Sequence, residues 1–424
     1  MRSVVASVVG AVSLTACAGL GQGQVADTEL ATTTCAVGIF GSGDAFVAIT
    51  KRGSDYRYSH SDGNAGTVGA NGRVICESDA VVLDQSIVLA RREVRITNTR
   101  FDAAGAVLAG QLMEPENAGP ATPLIVYAHG SERLGWIGAA TDPYQMVGRG
   151  VSVFVYDKRG TGDSTGAYSQ NFPQLADDLV AAAAEAQRLA AGRFGRFGLF
   201  GLSQGGWIAP LAATRANADF LGIGYGLVVD ILEEDASQVE LELTEAGFGE
   251  QAIVKARQLT DVTARLAVSN YTDGLDDLDR LRELYREQPW YSTVRGGFTG
   301  VILGLSSSEL RTKGIPMFDE LNIDWSLNPM QVLREVDVPQ LWVLAAEDRE
   351  APFSKTLERL QTIREEGRPI SIHVFPNTDH GMWEFDRMAD GTRSYTRVTD
   401  GFYALMSDWA KGVSEPPYGR AKQQ

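Results

Sequence analysis

The sequence predicts an α/β fold: a doubly wound, mostly parallel sheet with a helical insertion, preceded by a small β module. Three observations carry that expectation. From residue 91 onward, short apolar β runs alternate with helical stretches, as a parallel sheet with crossover helices requires. At residues 196–213 a β run, a glycine-flanked serine and an alanine-rich helical run follow one another directly. Between residues 233 and 330 the strand signal disappears, and it returns at 338–345.

The chain has 424 residues, enough for two or three structural units. Its 44% hydrophobic and 22% charged content is ordinary for a soluble enzyme. A net charge of −16 and a pI near 4.8 argue against nucleic acid and against anionic membrane surfaces as partners.

Residues 1–16 read as a signal peptide. Arg2 precedes an apolar run at 4–14 that is too short to span a bilayer. Leu14-Thr15-Ala16-Cys17 resembles a bacterial lipobox, and the resemblance implies cleavage before Cys17 and lipidation of its thiol. The competing cut, after Ala18, would discard Cys17. Either way an exported bacterial protein is expected, periplasmic or held at the cell envelope, touching membrane only through a lipid on Cys17. No later apolar run is long enough for a membrane helix. That leaves Cys35 and Cys76, which in an exported chain are expected to form one disulfide. Closing that loop would contribute ~3–4 kcal/mol.

Residues 17–90 form the β-rich module. Turn signals at Gly41-Ser42-Gly43-Asp44, Ser61-Asp62-Gly63-Asn64 and Ala70-Asn71-Gly72 separate short β-prone runs at 46–50 and 56–59. A lone His60 gives no metal cluster. Residues 91–232 are the first part of the core. A hairpin is expected from 93–99 and 107–113 around Asp102-Ala103-Ala104-Gly105. Buried parallel strands are expected at 123–128 and 151–156, and an amphipathic helix at 175–190.

Then comes Gly201-Leu202-Ser203-Gln204-Gly205, the pattern G-x-S-x-G between strand and helix. This is the setting of a nucleophile elbow. The turn is sharp and strained, so side chains two residues before and after the serine must be absent. A serine hydroxyl is a weak nucleophile at neutral pH and needs an imidazole to take its proton. The chain has four histidines: His60, His129, His373 and His380. His373 lies within a β run, whereas His380 lies on the loop after it.

Two further motifs follow strands: His129-Gly130-Ser131-Glu132, and Asp157-Lys158-Arg159-Gly160-Thr161-Gly162-Asp163-Ser164. With these the chain resembles the α/β-hydrolase family over roughly residues 91–415. There, an H-G pair after the third strand marks the oxyanion loop, and D-x-R-G-x-G-x-S after the fourth is a structural turn. The resemblance implies that backbone N–H groups of Ser131 and Gln204 form an oxyanion hole. His129 is expected to shape its loop rather than act in catalysis. The resemblance also implies a helical cap after the sixth strand, here 233–330, and the segments Ile323-Asp324-Trp325 and Asn328-Pro329 lead back into a resumed core at 331–415. In the family's acid loop an aspartate follows the seventh strand with a proline four residues on. Asp348 and Pro352 fit, and Glu347 is the alternative. His380 matches the family's catalytic histidine. Ser203, Asp348 and His380 then stand in the chain order of the family's triad.

Within the cap, Glu233, Glu234, Asp235, Glu240, Glu242 and Glu245, then Asp276, Asp277 and Asp279, read as solvated helix faces. Arg295-Gly296-Gly297 reads as flexible. Trp290 and Tyr291 would suit an apolar acyl or aryl group. A helix at 354–366, a strand at 370–375, a helix at 401–410 and a polar tail complete the expectation.

The expected function is that of a serine hydrolase, acting on a small ester through an acyl-enzyme and needing neither metal nor cofactor. A serine peptidase of the aminopeptidase or acyl-peptidase kind, acting on short peptides, is the alternative. The intact Ser203, Asp348 and His380 count against a catalytically inactive binding protein.

Overall fold

The computed structural model describes residues 35–69, 72–77, 79–314 and 322–424. The leader, Cys17 and Ala70-Asn71 of one expected turn lie outside the described residues.

The centre is a nine-stranded sheet. Its strands are β1 (Val94–Ala103), β2 (Ala106–Pro115), β3 (Leu124–Ala128), β4 (Ser152–Tyr156), β5 (Phe197–Leu202), β6 (Phe220–Gly224), β7 (Gln340–Ala345), β8 (Ile370–Phe375) and β9 (Lys422–Gln423). Their spatial order is β9-β8-β7-β6-β5-β3-β4-β2-β1. Strands β3 to β8 run parallel, while β1, β2 and β9 pair antiparallel. Every residue of β3, β4, β5 and β6 is buried, which is why these segments are apolar throughout rather than alternating.

Helices cover both faces. On one side lie α1 (Asp142–Gly148) and α8 (Phe402–Lys411), joined to the sheet through Met146, Val147, Phe402 and Met406. On the other lie α2 (Phe172–Leu189), α3 (Gly205–Ala212) and α7 (Phe353–Glu365), through Leu179, Ile208 and Leu360 among others. The chain passes from β3 outward to β4, then returns to β5 on the other flank of β3. The crevice at the carboxyl ends of β3 and β5 is therefore the topological switch point, where open α/β sheets place their sites.

Between β6 and β7 the helices α4 (Ile231–Glu245), α5 (Glu250–Val268) and α6 (Leu275–Tyr285) form the cap. They enclose a core of their own that includes Leu243, Leu259, Leu278, Trp290 and Phe298. Trp325 packs edge-on against Phe298, so this tryptophan belongs with the cap rather than with the resumed core.

The N-terminal strands are less separate than their composition suggests. Gly38–Ser42, Ala45–Arg52, Asp55–His60 and Ala65–Thr67 form one antiparallel sheet. Ile39, Phe46 and Ala48 enter the same cluster as α1 and α8. The opposite face carries Phe40, Val47, Ile49 and Tyr58, in a smaller cluster with Val74 and Val81 of a second, three-stranded sheet. A Cys35–Cys76 disulfide, with Cα atoms 5.5 Å apart, clasps that smaller cluster.

Two features at the C-terminal side depart from the sequence expectation. Thr378–Asp379, Trp383–Arg387 and Arg393–Val398 form a three-stranded antiparallel sheet where only a loop was expected. The polar tail supplies β9, which pairs with His373 and Val374. Among the described residues, no helix is long and apolar enough to cross a membrane.

Candidate active site

Ser203 follows β5 directly and takes a left-handed backbone conformation, with φ +54°. Its N–H donates to Gly224 O (3.1 Å), and its own carbonyl accepts from the Gly206 N–H (2.7 Å). The flanking glycines are required by contact. A Cβ on Gly201 would overlap the Gly205 carbonyl, and one on Gly205 would overlap the Ala128 carbonyl. The turn therefore closes only with glycine at both places, and its tightness presents the serine hydroxyl at the switch point.

The structure brings Ser203, His380 and Asp348 into one hydrogen-bonded series. Ser203 Oγ lies 3.0 Å from His380 Nε2. His380 Nδ1 lies 3.0 and 2.9 Å from the two carboxylate oxygens of Asp348. The Asp348 carboxylate also accepts the N–H groups of Glu350 (2.8 Å) and Ala351 (2.7 Å), which lock its orientation. Such a series lets the imidazole accept the serine proton while the carboxylate fixes its tautomer. Glu347, the alternative acid, turns away and pairs with Arg387.

Asp379 joins the two loops. One oxygen accepts the N–H of Arg349 (3.0 Å) and that of His380 (2.8 Å). The other accepts the Tyr395 hydroxyl (2.7 Å) and pairs with buried Arg393 (2.5 Å). Tyr395 and Arg393 belong to the unexpected antiparallel sheet, so that sheet braces the histidine loop. Tyr225, at the end of β6 with φ +41°, sets its ring edge-on to His380 at 4.9 Å.

On the other side of the serine lies the loop after β3. His129 is buried, stacks on Trp136 at 4.7 Å and meets Glu132 through Nδ1 at 2.9 Å. It shapes the loop. Burial opposes charge on Glu132, but the hydrogen bond from His129 and the charges of His129 and Lys158 outweigh it and bring the carboxyl down to about 2. The Asp157 carboxylate accepts from the N–H groups of Trp136, Ile137 and Asp163, tying this loop to the glycine-rich turn after β4. Arg159 of that turn is anchored to Asp178 of α2. Gly130 abuts the nucleophile: a Cβ there would lie 3.5 Å from Ser203 Cβ and only 2.7 Å from the Glu132 carboxylate. Among the described residues, neither the Ser131 N–H nor the Gln204 N–H donates to a protein acceptor.

The model of the Alpha/beta hydrolase family matches residues 125–393, well over half of the chain. This chain belongs to the α/β-hydrolase family. Acylamino-acid-releasing enzyme 1 of Oryza sativa subsp. japonica is 30% identical to this α/β-hydrolase over 92 residues, 22% of this chain and 12% of that one. The acylaminoacyl peptidase of Pyrococcus horikoshii is 15% identical, with 81% of this chain and 45% of that chain covered and a TM-score of 0.43. The α/β-hydrolase thus spans less than half of either of these relatives. An esterase of Pyrococcus furiosus is 12% identical, with 68% and 83% covered and a TM-score of 0.42. The proline iminopeptidase of Mycobacterium smegmatis is 18% identical, with 74% and 98% covered and a TM-score of 0.41.

The acidic run at the start of the cap is where sequence and structure part most clearly for this α/β-hydrolase. Its residues are mostly engaged rather than solvated. Glu233 pairs with Arg359 (2.6 Å). Asp235 is buried and accepts from the N–H groups of Phe298 and Thr299 and from the Thr299 hydroxyl. Glu242 accepts the N–H groups of Arg295 and Gly296, which pins the segment expected to be flexible. Glu245 pairs with Arg349 (2.9 Å) and Arg393 (3.0 Å). These contacts lay α4 across the acid loop. Asp276 and Asp279 of α6 are exposed, as a solvated face requires.

Glu234 lies close enough to Glu350, His380 and Asp348 to feel their charges. Burial and the nearby Glu350 carboxylate push its pKa up to about 8, against the lowering influence of His380. Glu350, which the sequence did not mark, sits with its carboxylate 3.5 Å from His380 Nε2. Burial disfavours the imidazolium of His380, yet the charges of Asp348 and Glu350 outweigh it and raise the pKa to about 10. Trp290 is buried in the cap's own core against Tyr285 (5.3 Å), so it does not serve as the apolar wall expected of it. A narrow apolar pocket behind α3 is lined by Trp207, Pro210, Leu227 and Trp342, and a polar cleft lies beside Arg91, Arg92 and Tyr144. Neither is lined by Ser203, so the hydrogen-bonded series locates the site.

Proposed function

We propose that this α/β-hydrolase is a serine hydrolase that cleaves carboxylic esters through an acyl-enzyme on Ser203. The observation that carries the reading is the continuous series from Ser203 Oγ through His380 to Asp348, each step within 3.0 Å. His380 takes the hydroxyl proton as Oγ attacks the carbonyl carbon. Asp348 holds the proton on Nδ1 and stabilises the imidazolium. The N–H groups of Ser131 and Gln204 receive the oxyanion. His380 then protonates the departing alkoxide, and a water repeats the sequence to release the acid. Fluorophosphonate labelling tests the reading: the native protein should label at Ser203, and Ser203→Ala should not. Labelling that persists in Ser203→Ala would overturn it.

A second reading, a serine aminopeptidase, is favoured by Glu234 and Glu350 beside His380. The Glu350 carboxylate there would hold a substrate ammonium, with the Glu234 carboxyl beside it as a hydrogen-bonding partner. Unactivated alkyl esters run beside aminoacyl p-nitroanilides separate the two. A kcat/KM on the anilide that matches the ester, and falls in Glu350→Gln, would favour the peptidase.

The same proposal includes export, with Cys17 lipidated. The Cys35–Cys76 disulfide supports it, because such bonds persist in oxidising compartments. Intact-mass measurement of the mature protein should give a diacylated or triacylated start at Cys17. An unmodified start at Gly19 would reject the lipid anchor.

A further inference from the structure

Lys158 stands in the glycine-rich turn after β4, at a place the resemblance treats as structural. Its side chain is buried, with a relative exposure of 2%. The ammonium donates to the Gly130 carbonyl at 2.5 Å. It also lies 5.3 Å from the centre of the Tyr168 ring. The Tyr168 hydroxyl donates to the next carbonyl, that of Ser131, at 2.5 Å. One peptide unit is thus fixed from its oxygen side by a cation, and the following one by a phenol.

The Gly130 carbonyl and the Ser131 N–H belong to the same peptide group. Among the described residues the only cis bond is Pro416–Pro417, so this peptide is trans and its C=O and N–H point in opposite directions. A cation on the oxygen draws electron density through the amide resonance toward that oxygen. The N–H at the other end becomes a stronger donor. The same contact holds the plane of the peptide beside Ser203, whose Cβ lies 3.5 Å from where a Gly130 Cβ would stand.

We infer that Lys158 is a positioning residue of the oxyanion hole, acting through the Gly130–Ser131 peptide to aim and polarise the Ser131 N–H. The inference rests on the proposed serine-hydrolase reading and adds to it a residue that never touches substrate. Retaining an ammonium there is costly: burial lowers its pKa to about 8, with Glu132 opposing that lowering and Arg133 adding to it. A neutral donor would satisfy the Gly130 carbonyl without that cost, so the charge itself calls for a role.

Lys158→Gln and Lys158→Met separate charge from bonding, because glutamine keeps a neutral donor and methionine keeps none. The native protein is first labelled with a fluorophosphonate. If Ser203 does not label, the serine-hydrolase reading fails and the inference is overturned with it. If it labels, both variants should lose about 10- to 100-fold in kcat, less than removal of a whole oxyanion donor costs, while KM changes less than threefold. Affinity for a trifluoromethyl ketone, whose adduct carries the oxyanion, should fall by the same factor as kcat. Lys158→Arg should recover part of both. A merely structural lysine would not tie adduct affinity to kcat. Folded variants with native kcat and native ketone affinity would overturn the inference. So would a Lys158→Gln that behaves as wild type while Lys158→Met is impaired, because the bond and not the charge would then matter. If no variant folds, the Ser131 amide proton of the native protein decides. It should move downfield on ketone addition, together with a change at Lys158 Nζ, and an unmoved pair would reject the inference.

Discussion

The two flanks of Ser203 differ in which group stands nearest the reacting atoms. On the His380 flank, Asp348, Glu350 and Asp379 gather around one imidazole. On the Ser131 flank, a buried ammonium and a phenol hydroxyl hold two successive carbonyls. The reaction proposed here separates charge along this same line, with an imidazolium forming beside the Asp348 and Glu350 carboxylates and an oxyanion forming at the peptide whose carbonyl the Lys158 ammonium holds. A field laid out beforehand costs no reorganisation when the charges appear. The flanks also differ in construction. The histidine side is braced by segments far apart in sequence, whereas the oxyanion side is braced by its own loop and the turn after the next strand.

The largest expected effects come from removing the serine between the flanks or the imidazole beside it. Ser203→Ala and His380→Ala should each lower kcat by about five to six orders of magnitude, with circular dichroism unchanged. Near-native turnover in a folded Ser203→Ala would end the comparison, since no charge would then develop at that serine. Next comes the acid. Asp348→Asn should cost about 10⁴ in kcat, because the imidazole would favour the wrong tautomer. Glu347→Gln should cost less than tenfold, since that carboxylate pairs with Arg387. The reverse ranking would move the acid to Glu347.

A smaller loss is expected from Asp379→Ala, which leaves Arg393 with Glu245 as its carboxylate partner and releases the Arg349 and His380 N–H groups. About a hundredfold in kcat is expected from the displaced imidazole, alongside a lower melting temperature. An unchanged kcat would show that the histidine loop holds its place without this brace.

The smallest effect sharpens the comparison most. The reacting imidazole must be neutral, and its pKa is raised to about 10, so kcat/KM on a neutral ester should climb as pH rises toward that value. Removing a negative charge lowers the pKa of a nearby cation. Glu350→Gln should therefore move this limb down by about one pH unit and raise activity at pH 7. On a cationic substrate the same change should weaken binding. A pH profile that stays in place would remove Glu350 from the His380 flank.

Much of this site was legible because its parts are punctuated in the chain. The elbow glycines are demanded by backbone contact at Gly201 and Gly205, and such demands leave a mark in sequence. Parallel strands that are buried on both faces read as unbroken apolar runs. The acidic residues of α4 were misread for the opposite reason. A run of carboxylates looks solvated until its partners are known, and Arg359, Arg349 and Arg393 lie over a hundred residues away. Glu350 and Asp379 resemble any charged loop residue until the fold sets them beside His380. The sheet at residues 378–398 escaped notice because its strands carry many charges, among them Glu384, Arg387, Arg393 and Arg397.

The short strand β9 has a bearing on how the molecule behaves when crowded. Without Lys422 and Gln423, the outer edge of β8 would present unpaired backbone groups at His373 and Val374. A bare edge of that kind is a template on which another chain can add a strand. Two exposed polar residues occupy it instead, one of them a lysine whose charge repels an approaching copy. Deleting residues 420–424 should leave the catalytic groups in place yet make the protein self-associate as its concentration rises. Light scattering at matched concentrations would show it, and a truncated form that scatters as the full-length protein does would mean that β8 protects its own edge.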